Sequence, residues 1–512
     1  MNTYVAAVLL ASLLSQDQAR FAGVPEQDAR HYDIALSVDL LGKQLSGSVD
    51  YTFTAVEPLR SIRLDAQRSP SWNVHFVGPD GGALVSEWSE DHVVVTLPAR
   101  VPRGHEARFR AVLAGTPVDG FYFKENRYGD LMAFTDHYSI RARGWLPCED
   151  HPGDRAKFSL RLTYPDGNEA VGFGLPVRSV DSRMQLEARA EIPPYMFAFA
   201  IGPLARVSEA GDERLVDHFV YRQDVAKAKV ALINHARWIA AMETAFGEYP
   251  YGKYTTVQCP TRWGGFEAPG NVQLSESLFD DPERGQGTLA HELVHMWFGD
   301  AVGYREWREV WLSEGFASYF GPWLHAETGG LSLQQAMASM RERWAASEEG
   351  RTKSIRDDHF AHPDQALNSN TYPKAAWVLH MLRGEVGDDA FFAALKEYVA
   401  EYRGTSIATS EFIASMERVT GQELTWFFSQ WLDRVGCPEL RLEIEPDAIT
   451  IEQTQQGQPY RFWLRLRWRN TAAKLVEKRV RIEDRRTRVT LIGKSESVEI
   501  DPAIELLFRL AN

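Results

Sequence analysis

The chain has 512 residues, of which 44% are hydrophobic and 25% charged. That balance excludes a largely disordered polymer and, at about 100 to 200 residues per domain, suggests three domains. A formal charge of -14, spread along the sequence without a Lys/Arg block interleaved with aromatics, argues against nucleic acid as a partner.

The N-terminus runs apolar from Tyr4 to Leu14, long enough for a signal-peptide core and too short for a membrane span, with no Lys or Arg before it and no clean A-x-A site after it. We expect a leader over residues 1–28, export to a periplasmic or secreted location with a cytoplasmic one as the alternative, and no stable membrane span. From His31 to about Val207, short alternating segments such as HYDIALSVDL and DHVVVTLP are broken by Gly, Pro, Asn and Asp, so residues 29–207 are expected to form an all-β domain. From about Tyr221, segments such as DVAKAKVALINHARWIAAMETAF space their apolar residues three and four apart, which makes residues 208–436 mainly helical. After Gly436-Cys437-Pro438 the alternation returns, and residues 437–512 are expected to be a small β domain. Cys148, Cys259 and Cys437 are too scattered for a thiolate metal site or a disulfide framework and are expected to be free thiols.

Within the helical stretch, GTLAHELVHMWFGD contains H-E-x-x-H. On a helix, His291 and His295 share one face, where two imidazoles reach one ion. A catalytic zinc needs three protein ligands and an open position, and Glu314, on the helical pattern EVWLSEGFASYF, is the candidate for the third. Glu292 points off the His face, placed to take a proton from the attacking water and return it to the leaving amine. On these residues alone, an accidental motif or a pair of satisfied core histidines is the competing reading.

HELVHMWFGD followed by WLSEGFASYF resembles the two-helix zinc signature of the zinc aminopeptidase family typified by aminopeptidase N and leukotriene hydrolase. RWGGFEAPGNVQLSE is similar to its Gly-x-Met-Glu-Asn segment, TYPKAAWVLHML to its Tyr-x-Lys-Gly segment, and RARGWLPCEDHP to its Ala-Arg-x-x-x-Pro-Cys-x-Asp segment, in order over about residues 31 to 440. The resemblance implies a multidomain α+β protein: an N-terminal all-β domain, a thermolysin-like, mainly helical catalytic domain and a small C-terminal β domain. It implies one zinc per chain and hydrolysis of the N-terminal peptide bond of peptides with a free N-terminus. Tyr372 would donate its hydroxyl to the oxyanion, Glu267 would grip the substrate amine, and Gly264 and Gly265 would let an extended substrate pair with the backbone. A Tyr before Pro is otherwise a packed turn residue, and Glu267 otherwise a solvated loop acid.

Three departures matter. Ala268 and Pro269 stand where the family usually has Asn and Trp, so side-chain specificity does not transfer. Asp136 and Tyr138 replace the usual amine-binding helpers, which makes Asp136 the candidate helper here. Many relatives continue into a helical cap, so the cavity is expected to be more open or closed by a second subunit in a homo-oligomer. The altered residues keep a zinc endopeptidase or dipeptidase as the alternative, with an inactive interaction scaffold behind it.

Overall fold

A computed structural model describes residues 21–208, 215–493, 495 and 497–511. Residues 1–20 of the expected leader lie outside these described residues. Strands run from Gln27 to Tyr221, helices dominate from Val225 to about Asp433, and strands return from Glu439, so the α+β architecture in three stretches is present. By packing, however, the chain forms two compact units. One reaches to Trp307 and takes in Ala361–Asp364 and Tyr402–Ala408; the other comprises Arg308–Phe360, Gln365–Glu401 and Thr409 onward. Sequence texture marks changes of secondary structure, whereas these units group residues that pack mainly with one another.

The first unit is built on a seven-stranded sheet whose centre is the antiparallel pair Gln27–Asp39 and Gln44–Ala55. Register places Phe158, Tyr32, Tyr51 and Phe109 side by side on four adjacent strands. Tyr32 stacks on Phe158 at 4.9 Å and Tyr51 on Phe109 at 4.7 Å. Such pairs contribute about 0.5–1.5 kcal/mol each beyond the area they bury. The row also holds the segment beyond it: the Tyr51 hydroxyl donates to the Pro147 carbonyl at 2.8 Å, and the Glu149 N–H donates to the Tyr32 hydroxyl at 3.2 Å.

A second, five-stranded sheet in this unit contains β1 (Lys253–Cys259), β2 (Gly265–Phe266) and β3 (Val272–Ser275). β3 lies parallel to β1 and antiparallel to β2, which occupies the sheet edge. Helix α1 (Pro282–His295) follows. It starts where Asp281 accepts the Arg284 N–H and Pro282 takes the first turn, the capping pattern that satisfies or removes orphan donors.

In the second unit, α2 (Trp311–Glu327) packs on α3 (Ala375–Val386) so closely that a Cβ on Gly315 would stand 2.7 Å from that of Ala375. Its C-terminal strands form a four-stranded and a three-stranded sheet, with Phe462, Leu464, Leu466 and Trp468 buried along one alternating strand. The three cysteines are free and buried. Among the described residues no helix is long and apolar enough to cross a membrane.

Candidate metal centre

The buried side of α1 is set by Leu289, Leu293 and Val294, and this burial fixes the rotation of the helix and so the direction of its two histidines. The Nε2 atoms of His291 and His295 face each other at 3.1 Å. Two nitrogens bound to one tetrahedral zinc at its usual bond length stand about 3.3 Å apart, so this pair fits a shared ion. His295 Nδ1 lies 3.2 Å from the Phe298 carbonyl, which can only accept. The proton is therefore on Nδ1 and the lone pair on Nε2, the tautomer a metal ligand needs.

Glu267, Glu292 and His295 bring donor atoms within 4.8 Å of one another, and all three residues are buried. Two carboxylates this close favour a cation beside them, either a metal or an ammonium. A Cβ on Gly265 would stand 2.3 Å from Glu292 Oε1, so the carboxylate rests against the bare backbone of β2. Gly264 has no such neighbour; the nearest atom to its Cβ position is a Thr288 methyl at 4.0 Å. Behind the cluster, Asp300 is wholly buried. Burial pushes its pKa well above the usual carboxylate range; the charges of Glu267 and Glu292 add to this and Arg155 opposes it.

Asp136 and Tyr138 support the segment leading into β2. Asp136 Oδ1 accepts from the Trp263 indole at 3.0 Å, and Oδ2 accepts from the Thr261 hydroxyl at 3.4 Å. Burial raises its pKa, opposed first by Arg262. The Tyr138 ring meets Tyr195, Trp263 and Trp307 edge-on at 5.7, 6.0 and 5.8 Å, and its carbonyl accepts from Arg262 Nη2 at 2.6 Å. Sequence reading overlooked Arg262 and Trp263, although an Arg-Trp pair directly before two glycines was a usable signal.

The second unit carries the other two expected residues. Glu314 is buried in the first turn of α2, where the helix N-terminus favours a carboxylate. Tyr372 is half-buried in a wide turn, Asn370–Lys374, that runs straight into α3; π-type turns of this kind recur at functional positions. The turn is tied at both ends. Asn370 accepts from the Trp344 indole at 2.8 Å and donates to the Glu349 carbonyl at 2.9 Å, while Lys374 Nζ donates to the Arg434 carbonyl at 3.0 Å.

Two family models match this chain: the peptidase M1 N-terminal domain over residues 28–179 and the peptidase family M1 domain over residues 230–431, together more than half of its length. The chain belongs to peptidase family M1. Among M1 relatives, aminopeptidase M1-D of Oryza sativa subsp. japonica is 26% identical over 472 residues, covering 83% of this chain and 52% of that protein. Aminopeptidase N of Streptomyces lividans is 27% identical over 409 residues, covering 73% and 47%. The chain thus spans about half the length of the curated relatives it matches. A crystal structure of an M1 zinc metallopeptidase from Deinococcus radiodurans superposes with a TM-score of 0.68 at 27% identity, covering 80% of this chain and 95% of that one. A mutant from the same organism, bound to a Tyr-Ser-Ala substrate, gives the same TM-score. Asp136, Tyr138 and Arg155 lie within the N-terminal M1 match; Glu267, His291, Glu292, His295, Glu314 and Tyr372 lie within the other.

Proposed function

We propose that this M1 family member is a zinc-dependent aminopeptidase that removes the N-terminal residue of peptides. The observation that carries the reading is the His291–His295 pair at zinc-ligand separation, with the Glu292 and Glu267 carboxylates beside it. His291, His295 and Glu314 would hold the metal; two neutral imidazoles and one carboxylate suit zinc and leave a position open. Zinc, when bound, supplies a lowered water pKa and a polarised scissile carbonyl.

The remaining steps belong to the chain's own residues. Glu267 receives the substrate ammonium, which fixes the cut at the first peptide bond. The edge strand β2 pairs with the extended peptide, and Gly264 and Gly265 keep its surface low. Glu292 accepts a proton from the attacking water at a carboxylate oxygen and returns it to the leaving amine. The Tyr372 hydroxyl donates to the oxyanion as it develops. Asp136 and Tyr138 support Thr261, Arg262 and Trp263, which lead into β2, and Asp136 is the candidate helper to Glu267 in the amine grip.

Metal analysis tests the reading. Purified protein is expected to hold one zinc per chain, to hydrolyse a free tripeptide, to lose that activity to a chelator and to regain it with zinc. Full activity in metal-free protein would refute the metal role, and zinc-loaded protein without hydrolysis would return the scaffold reading.

A further inference from the structure

The Arg155 side chain ties the turn that ends α1 to the N-terminal β region. His295 donates a hydrogen bond from Nδ1–H to the Phe298 carbonyl, so the ring plane of this ligand depends on the path of Met296–Val302. That path is a closed set of backbone bonds: the Asp300 N–H donates to the His295 carbonyl at 3.0 Å, Gly299 to Val302 at 2.9 Å, and Val302 to Trp297 at 3.2 Å. Gly299 turns the chain at φ 115°, a conformation open to glycine.

From outside, the turn is held at several points: the Trp297 indole donates to the Gly247 carbonyl at 2.9 Å, the Gly404 N–H donates to the Ala301 carbonyl at 2.7 Å, and Arg155 grips it from the N-terminal β region. Arg155 Nη2 donates to the Asp300 carbonyl at 2.8 Å, and the same guanidinium holds the Glu191 carbonyl through Nε at 3.1 Å and Nη2 at 2.8 Å. Arg155 is only 7% exposed, and it sits directly after the segment anchored by the aromatic row. Its seat is shaped for it: a Cβ on Gly303 would stand 2.7 Å from Arg155 Nη1 and 2.8 Å from Ser406 Oγ, and Ser406 in turn donates to the Pro152 carbonyl at 3.0 Å. A planar guanidinium reaches two carbonyls at once from one rigid head, which an ammonium on a flexible stem does not.

We propose that Arg155 is a positioning residue for His295, acting through the Met296–Val302 turn, so that zinc affinity depends on a side chain of the N-terminal β region. The inference rests on the zinc reading above. Outer-shell partners of ligating histidines typically carry about 10–100-fold in metal affinity.

The test is zinc affinity, read by competition with a chromophoric chelator on the full chain, at a temperature where circular dichroism shows each protein folded. Arg155→Met is expected to weaken zinc binding measurably, by no more than the about 10–100-fold carried by a direct partner of a ligating histidine. Arg155→Lys is expected to recover part of the loss, because one ammonium can still donate to the Asp300 carbonyl. A folded Arg155→Met with wild-type zinc affinity overturns the proposal. If Arg155→Met does not fold, Gly303→Ala decides: its methyl displaces Nη1 while the guanidinium stays buried, and zinc binding is expected to weaken, whereas unchanged affinity overturns the proposal. Wild-type protein that binds no zinc would instead overturn the functional reading, which keeps the two failures apart.

Discussion

Lys374, two residues after Tyr372, is wholly buried, with its Nζ bound to the Arg434 carbonyl at 3.0 Å and 5.8 Å from the Trp344 ring centre. Burial lowers its pKa from 10.5 to about 8; Cys437 opposes the shift, and Arg434 and Arg509 add to it. Between these two values the native chain binds fewer protons than the unfolded one, so stability rises with pH across the window. The contribution is full above about 10.5 and is lost as pH falls through about 8. At 1.36 kcal/mol per pKa unit the whole effect is about 3 kcal/mol, of which about 2 kcal/mol accrues between pH 7 and 9.5. Lys374→Met keeps the apolar stem and removes the titration. Its stability relative to wild type is therefore expected to fall by about 2 kcal/mol over that pH range, about 4–8 °C in the melting of a unit of this size. Melting both proteins by near-ultraviolet circular dichroism at pH 7, 8, 9 and 9.5 gives the comparison. A difference that stays flat with pH would show that Lys374 does not titrate as a buried amine.

Glu292→Gln is expected to retain zinc and lose about 10²–10⁴-fold in kcat, as the amide cannot accept the proton; metal analysis beside steady-state kinetics checks both halves. Glu314→Ala is expected to weaken zinc binding by more than the about 10–100-fold of an outer-shell change, measured by chelator competition, and retained affinity would remove Glu314 from the ligand set. Tyr372→Phe is expected to keep zinc and lower kcat by about a hundredfold or more, with KM little changed.

The β, helical and β stretches were legible because strand and helix periods differ and because Gly, Pro and Asn mark the breaks. His291 and His295 were legible because one helical spacing fixes their relation, and the structure places their Nε2 atoms face to face. The support around them was not. His295 is oriented by a backbone carbonyl at Phe298, which has no side-chain signature, and that turn is held by Arg155, 145 residues away in sequence from Asp300. Asp136 was legible as an acid at a motif position, whereas its contacts to Trp263, Thr261 and Arg262, distant in sequence, were not. The two compact units were also illegible, since the division between them crosses a stretch of uniform helical texture.

The most direct test of the account is hydrolysis of one tripeptide and its N-acetyl form by the same zinc-loaded protein. The account predicts rapid release of the first residue from the free peptide and no cleavage of the acetylated one, because Glu267 requires an ammonium. Cleavage of both at similar rates would contradict it and establish an endopeptidase on the same metal centre.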